Sequence, residues 1–281
     1  MFVQAIKDAV VYTKQFRTIH RFFGSTEVKK AASSMMVLNE EGWLLTCKHV
    51  AQYIPLAQNI NQTYLNYKQR LAQGEDAFDL AEKFKYKTNT PMQLKNQFFD
   101  IFEGQIDKVN VRLHPTLDMA LVHVEGDYKL KADTFPTFSK EHPEAGMMLC
   151  KVGFPFVEYT CVKYDEISDD IFFTQEGILQ TPYFPLDGMV TRRIAQNGKI
   201  VAFEMNSPGL RGQSGGPVFD SSGLVYGMQT LTRHLDLEFS SKKQTIEGED
   251  TTEHAFMHVG VAISSVEIIA FLKEHNVTYY S

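Results

Sequence analysis

Gly209-Leu210-Arg211-Gly212-Gln213-Ser214-Gly215-Gly216-Pro217 is the densest chemical signal in the chain: glycines flank one serine on both sides, directly before a β-forming run. Glycine reaches backbone angles that other residues resist, so successive N–H groups in such a loop can converge on one point beside Ser214. That geometry makes an oxyanion hole. The plain alternative is a glycine-rich turn with an exposed serine. A phosphate loop would need Lys and Ser or Thr after its last glycine, where Pro217-Val218-Phe219 stands instead. A serine elbow of the G-x-S-x-G kind must lead into a helix and find its acid and histidine downstream. Here a strand, an Asp220-Ser221-Ser222-Gly223 turn and another strand follow, which disfavours the elbow.

A serine hydroxyl is a weak nucleophile until a neighbouring base takes its proton, and the base needs an acceptor to orient it. Nine histidines compete, but only His49 closes a β-rich run, Gly42-Trp43-Leu44-Leu45-Thr46-Cys47-Lys48-His49-Val50. Among carboxylates, Asp118 stands at the start of the apolar run Leu117-Asp118-Met119-Ala120-Leu121-Val122-His123-Val124. By itself it reads more readily as a solvated aspartate at a strand entry. Cys47 shares a strand face with His49 but has no glycine loop around it, and reads as a small core residue.

Outward from these residues, the chain is punctuated into short strands. Val10 to Ile19, Ala32 to Leu38 and Gly42 to Thr46 come first, and Ile101 to Leu113 and Met119 to Glu125 follow. Between them, residues 51 to about 98 mix spaced apolar positions with Gln, Lys, Glu and Ala, which predicts a helical insert. A polar stretch with Pro136 and Pro143 precedes a second group of strands beginning at Met147. Ser264 with Glu267 three residues on is a capping box that opens a C-terminal helix. Many short strands in two groups suggest two antiparallel barrels.

At this point the chain resembles the trypsin-like serine peptidases, most closely the HtrA/Deg-type branch. Its motifs G-x-I/L-L-T-x-x-H-V, D-x-A-L and G-x-S-G-G-P all occur here, in that order. Val152-Gly153-Phe154-Pro155, Gly223-Leu224-Val225-Tyr226-Gly227 and Val259-Gly260-Val261-Ala262-Ile263 are similar to the supporting turn and strands, so the likeness runs from about residue 10 to 275. The resemblance implies an all-β fold of two packed six-stranded antiparallel barrels of chymotrypsin type. Residues 1–130 would hold His49, Asp118 and the insert, 131–146 would link, and 147–281 would carry Ser214. It implies that Ser214 attacks the scissile carbonyl, His49 shuttles the proton, Asp118 sits buried and orients the imidazole, and the amides of Gly212 and Ser214 hold the oxyanion.

The same resemblance places the specificity pocket among Pro208, Leu210, Gln229, Thr230, Leu231, Gly260 and Ala262. Pro208, six residues before the serine, stands where a trypsin carries an acid, so the expected preference is a small or medium apolar side chain before the cleaved bond. No Ile-Val-Gly-Gly-like start is present and no PDZ-like segment follows, so neither cleavage-triggered activation nor peptide tethering is expected. His49 and Asp118 lie 69 positions apart, which puts the insert near the cleft as a place for a regulatory partner.

Composition narrows the surroundings. With 281 residues, 43% apolar and 12% aromatic, the chain can bury one large core or two medium ones. A net charge of −6 without a cationic run argues against capture of nucleic acid or an anionic membrane. No segment approaches the roughly 18 apolar residues of a membrane-spanning helix. Three cysteines form neither a disulfide framework nor a zinc motif, which suggests a reducing, cytoplasmic compartment. His254 and His258 sit four apart but lack a third partner, so no metal and no cofactor are expected, and the substrate class is polypeptide. A catalytically silent peptide-binding scaffold of the same fold is the rival reading.

Overall fold

The structure is a computed structural model that describes residues 1–244 and 250–281. Helix α1 (Val3–Tyr12) leads into β1 (Thr13–Phe22), which turns back as β2 (Val28–Val37). Ala5, Ala9 and Tyr12, spaced by four and three, are the buried face of α1. The strand expected from Val10 therefore begins only at Thr13, because burial of a helical face outweighs the β-propensity of Val10 and Val11.

The short strand β3 (Trp43–Thr46) is buried along its whole length, and β6 (Ala120–Leu130) pairs beside it. Between them lie α2 (Lys48–Ala51), α3 (Tyr53–Ala72), α4 (Ala77–Lys83), β4 (Pro91–Phe99) and β5 (Phe102–Leu113). Six strands assemble in the order β4-β1-β2-β3-β6-β5. The helical insert is thus shorter than expected: it stops well before residue 98, and Pro91–Phe99 is an edge strand on β1. Proline at the first strand position suits an edge, where its missing N–H breaks no ladder. The side chain of Asn61 on α3 covers part of that edge, donating to Leu94 O (2.7 Å) and accepting from Leu94 N–H (3.0 Å).

The second group comprises β7 (Met148–Gly153), a small hairpin of β8 (Val162–Asp165) with β9 (Asp170–Phe173), β10 (Phe184–Gln196), β11 (Lys199–Met205), β12 (Pro217–Phe219), β13 (Val225–Gln244) and β14 (Asp250–Ser264). Six of these close a barrel in the order β10-β11-β14-β13-β12-β7. The expected all-β pair of six-stranded antiparallel units is present; the second closes as a barrel, whereas the first is a six-stranded sheet whose end strands β4 and β5 are not paired with each other. Helix α5 (Ser265–Glu274) follows directly, with the Ser264 hydroxyl accepting from Val266 N–H. The carboxylate of Glu267 goes to Lys199 instead of completing the capping box.

One core cluster runs through both halves, joining Phe16, Leu44 and Leu121 to Val152, Phe219, Met228 and the α5 residues Ile268 and Phe271. The insert carries its own small cluster of Tyr64, Tyr67, Leu80, Tyr86 and Met92. Asp169 ties the insert to the β8–β9 hairpin and to β1: it accepts from Arg21 (2.7 Å), Tyr164 (2.8 Å) and the Tyr64 hydroxyl, and these bonds hold its carboxyl below the usual range despite the opposing effect of burial. Because Leu80 is buried and Phe78 exposed, Leu80→Ala should cost about 2–5 kcal/mol in urea unfolding, whereas Phe78→Ala should stay within about 0.5 kcal/mol.

Candidate active site

Two glycines of the 209–217 loop have no freedom to be anything else. Gly212 (φ +107) and Gly215 (φ +90) lie in the left-handed region, and a Cβ on them would collide with Phe154 O and with Ser34 O respectively. The loop is gripped from the first sheet by Ser34 of β2. Its N–H donates to Ser214 O (2.9 Å) and its hydroxyl to Gly212 O (2.9 Å), while Thr46 of β3 donates to Ser34 O (2.7 Å). On the other side, Gly215 N–H donates to Gln229 O and Gln229 N–H to Gly216 O, both at 2.9 Å. Among the described residues, the amides of Gly212 and Ser214 donate to no protein group.

His49 stands on α2, the single turn after β3, and not at the strand's own end as its sequence setting suggests. Asp118 lies in the turn before β6, a turn held by the His114 ring, which accepts from Leu117 N–H (2.8 Å). Asp118 takes His49 twice: Oδ1 accepts from the backbone N–H (3.0 Å) and Oδ2 pairs with ring Nδ1 (2.8 Å). A carboxylate accepts, so the proton sits on Nδ1 and the lone pair on Nε2. Asp118 is not buried as expected: its side chain, in the irregular segment before β6, is 33% exposed and that of His49 is 51% exposed.

Ser214 completes the grouping only in part. Its hydroxyl donates to Thr230 O (3.0 Å) on β13 and makes no hydrogen bond with His49. Cys47 Sγ comes within 4.8 Å of the ligand atoms of His49 and Asp118. It is fully buried and donates to Gln229 O (3.4 Å), and burial together with the Asp118 charge pushes its thiol well above the usual value. A thiol so held is neither a nucleophile nor a thiolate ligand.

Beside Ser214 opens a cleft of about 490 Å³. Pro208, Leu210, Gln229, Thr230 and Leu231, five of the residues that the resemblance assigns to the specificity pocket, line it. Gly260 and Ala262 lie behind it: Ala262 belongs to the barrel interior, and Gly260 faces Lys151. The sequence reading missed Arg211, Thr232 and His234, and it placed His258 with His254 instead of with the cleft. His258 meets His234 across the β13–β14 ladder, with Nδ1 atoms 2.5 Å apart, whereas His254 sits opposite Ser240. Only strand register brings the two rings together.

The family model of the trypsin-like peptidase domain matches residues 33–228, a span that holds Ser34, His49, Asp118 and Ser214. The chain belongs to that family. This trypsin-like peptidase domain also resembles a solved structure of an HtrA-type protease with decapeptide, at 14% identity and a TM-score of 0.48, over 98% of this chain and 68% of that one. No curated protein matches the sequence.

Lys151, on β7 behind the cleft, is wholly buried, and its ammonium donates to Ser207 O (2.9 Å). Burial pulls its pKa down to about 8 from 10.5. Below pH 8 the folded state therefore holds a charge that the unfolded state solvates better, and the penalty fades as pH rises toward 10.5. Lys151→Met should accordingly be more stable than the native chain by a few kcal/mol at pH 7 in urea unfolding, with the gap closing by pH 10.

Proposed function

We propose that the chain is a serine endopeptidase that cleaves polypeptides through Ser214, His49 and Asp118. The observation that carries this reading is the double hold of Asp118 on His49, which fixes the imidazole with Nε2 available as a base, in a chain whose Ser214 lines an open cleft. The Ser214 hydroxyl turns from Thr230 O to Nε2, loses its proton to it and attacks the substrate carbonyl. The resulting oxyanion is taken by the amides of Gly212 and Ser214, which have no protein acceptor among the described residues. His49 then gives its proton to the leaving amine, and water repeats the sequence on the acyl-enzyme. Asp118 stays ionised and stabilises the imidazolium.

Pro208, Leu210 and Leu231 supply apolar walls for the stem of the side chain that precedes the cleaved bond. Leu65, Leu71 and Phe78, exposed on the insert, mark where a regulatory partner would sit. The three cysteines are free and buried, which suits a reducing compartment, and we place the protein in the cytoplasm.

One observation favours the silent scaffold: Ser214 rests on Thr230 O and not on His49. A fluorophosphonate probe decides between the two. The native chain should be labelled and Ser214→Ala should not, and a native chain that stays unlabelled with peptide substrates present sinks the peptidase reading. Asp118→Asn, which loses the acceptor that fixes the tautomer, should lower kcat by about four orders of magnitude. Near-native turnover in that variant would remove Asp118 from the mechanism.

A further inference from the structure

Lys151 has an unusual environment for a buried cation. Among the described residues no carboxylate pairs with its ammonium, and Ser207 O is its one hydrogen-bond acceptor. An ammonium out of water without a countercharge is costly, and one neutral carbonyl offsets little of that. Two further acceptors nearby, Ser207 Oγ and Gln229 Oε1, are buried and have no hydrogen-bond partner. Lys151 Nζ and Gln229 Oε1 both close on Gly260, at 2.6 and 3.1 Å from where a Cβ would stand, so only glycine leaves room for them. Gln229 is the partition: one side meets this cluster and the other lines the cleft beside Ser214.

The cleft itself holds one further cation and two imidazoles. Arg211, His234 and His258 line it, and among the described residues no aspartate or glutamate does, in a chain whose net charge is −6. The imidazoles face each other through Nδ1 atoms 2.5 Å apart, so one ring must donate to the other. A single proton added to that pair leaves hydrogen on both Nε2 atoms, and a carboxylate meeting them would accept charge-assisted hydrogen bonds.

We propose that this pocket selects glutamate at the substrate position before the cleaved bond. The methylenes of the side chain lie along Pro208 and Leu210, His234 and His258 take the carboxylate, and the Lys151 ammonium supports its charge from behind Gln229. The proposal rests on the endopeptidase reading for the bond cleaved and replaces the aliphatic preference expected from the sequence. Glutamate supplies the countercharge that Lys151 lacks, whereas leucine or lysine would leave it uncompensated or repelled.

The test uses fluorogenic peptides identical except for Glu, Gln, Leu or Lys before the scissile bond. The expected kcat/KM is at least about tenfold higher for Glu than for Gln or Leu, with Lys lowest. The Glu-to-Leu ratio should fall about tenfold in Lys151→Met and in His258→Gln. A ratio taken within one variant does not depend on how much of it is folded or active. Equal rates for Glu and Gln, a preference for Leu, or an unchanged ratio in both variants would overturn the pocket assignment. The same peptides titrated into Ser214→Ala by calorimetry report on the pocket without turnover: tighter binding of the Glu peptide supports it, and equal affinities overturn it. Failure of the native chain to react with fluorophosphonate bears on the peptidase reading alone, because that probe carries no glutamate.

Discussion

The active arrangement depends on Ser34. This buried residue of the first sheet spends both its donors on the serine loop of the second barrel, the amide on Ser214 O and the hydroxyl on Gly212 O. Its own carbonyl is taken by Thr46, one strand over. The donors and acceptors of this clasp are paired, and Ser34 and Thr46 are fully buried, so parting the two halves here would give up several hydrogen bonds at about 0.5–1.5 kcal/mol each. Gly215 belongs to the same constraint, because its backbone lies against Ser34 O at a distance no side chain could share. The position of Ser214 is therefore set by the sheet that leads, through β3, into His49.

Among the described residues two other cations are buried, and they are treated differently. Arg17 of β1 is wholly buried, yet its guanidinium lies 3.2 Å from the centre of the Phe99 ring and 4.5 Å from that of Tyr159, and it donates to Leu179 O (2.6 Å). Aromatic faces and a carbonyl replace much of what water supplied, and although burial lowers its pKa to about 10, it stays charged at neutral pH. Arg21 has a true countercharge in Asp169. Lys151 has neither ring nor carboxylate, and of the three it is the one that lies behind the cleft. That uncompensated charge is the one the proposed glutamate side chain of the substrate would pair.

The legible parts of the sequence were those where chemistry restricts residue choice. Glycines 212 and 215 announced a loop with special backbone angles, and the φ values bear that out. The short apolar runs around Leu44 and Leu121 announced central strands, and those runs pair with each other as β3 and β6. The misses came where context overrode local pattern. Val10 and Val11 read as strand but belong to a helix whose small buried face, Ala5 and Ala9, has little hydrophobic signal of its own. Residues 91–99 lie next to helices and carry Gln, Lys and Asn, and they become a strand only because β1 offers an edge. His234 and Lys151 were invisible as pocket residues, since one depends on cross-strand register and the other on what lies behind Gln229.

The contact between Ser214 and Thr230 O bears on how far the resting structure is from a working one. Turning a serine hydroxyl from one staggered position to another exchanges one hydrogen bond for another, and such an exchange is worth on the order of 1 kcal/mol. The features that bear more on the question are two amides beside the serine that have no protein acceptor among the described residues, and an imidazole held at both its backbone and its ring. The left-handed glycines let the loop present those amides without strain. A scaffold that only held peptides would need neither an oriented imidazole nor open amides beside a serine, and both features support the proposed peptidase reading.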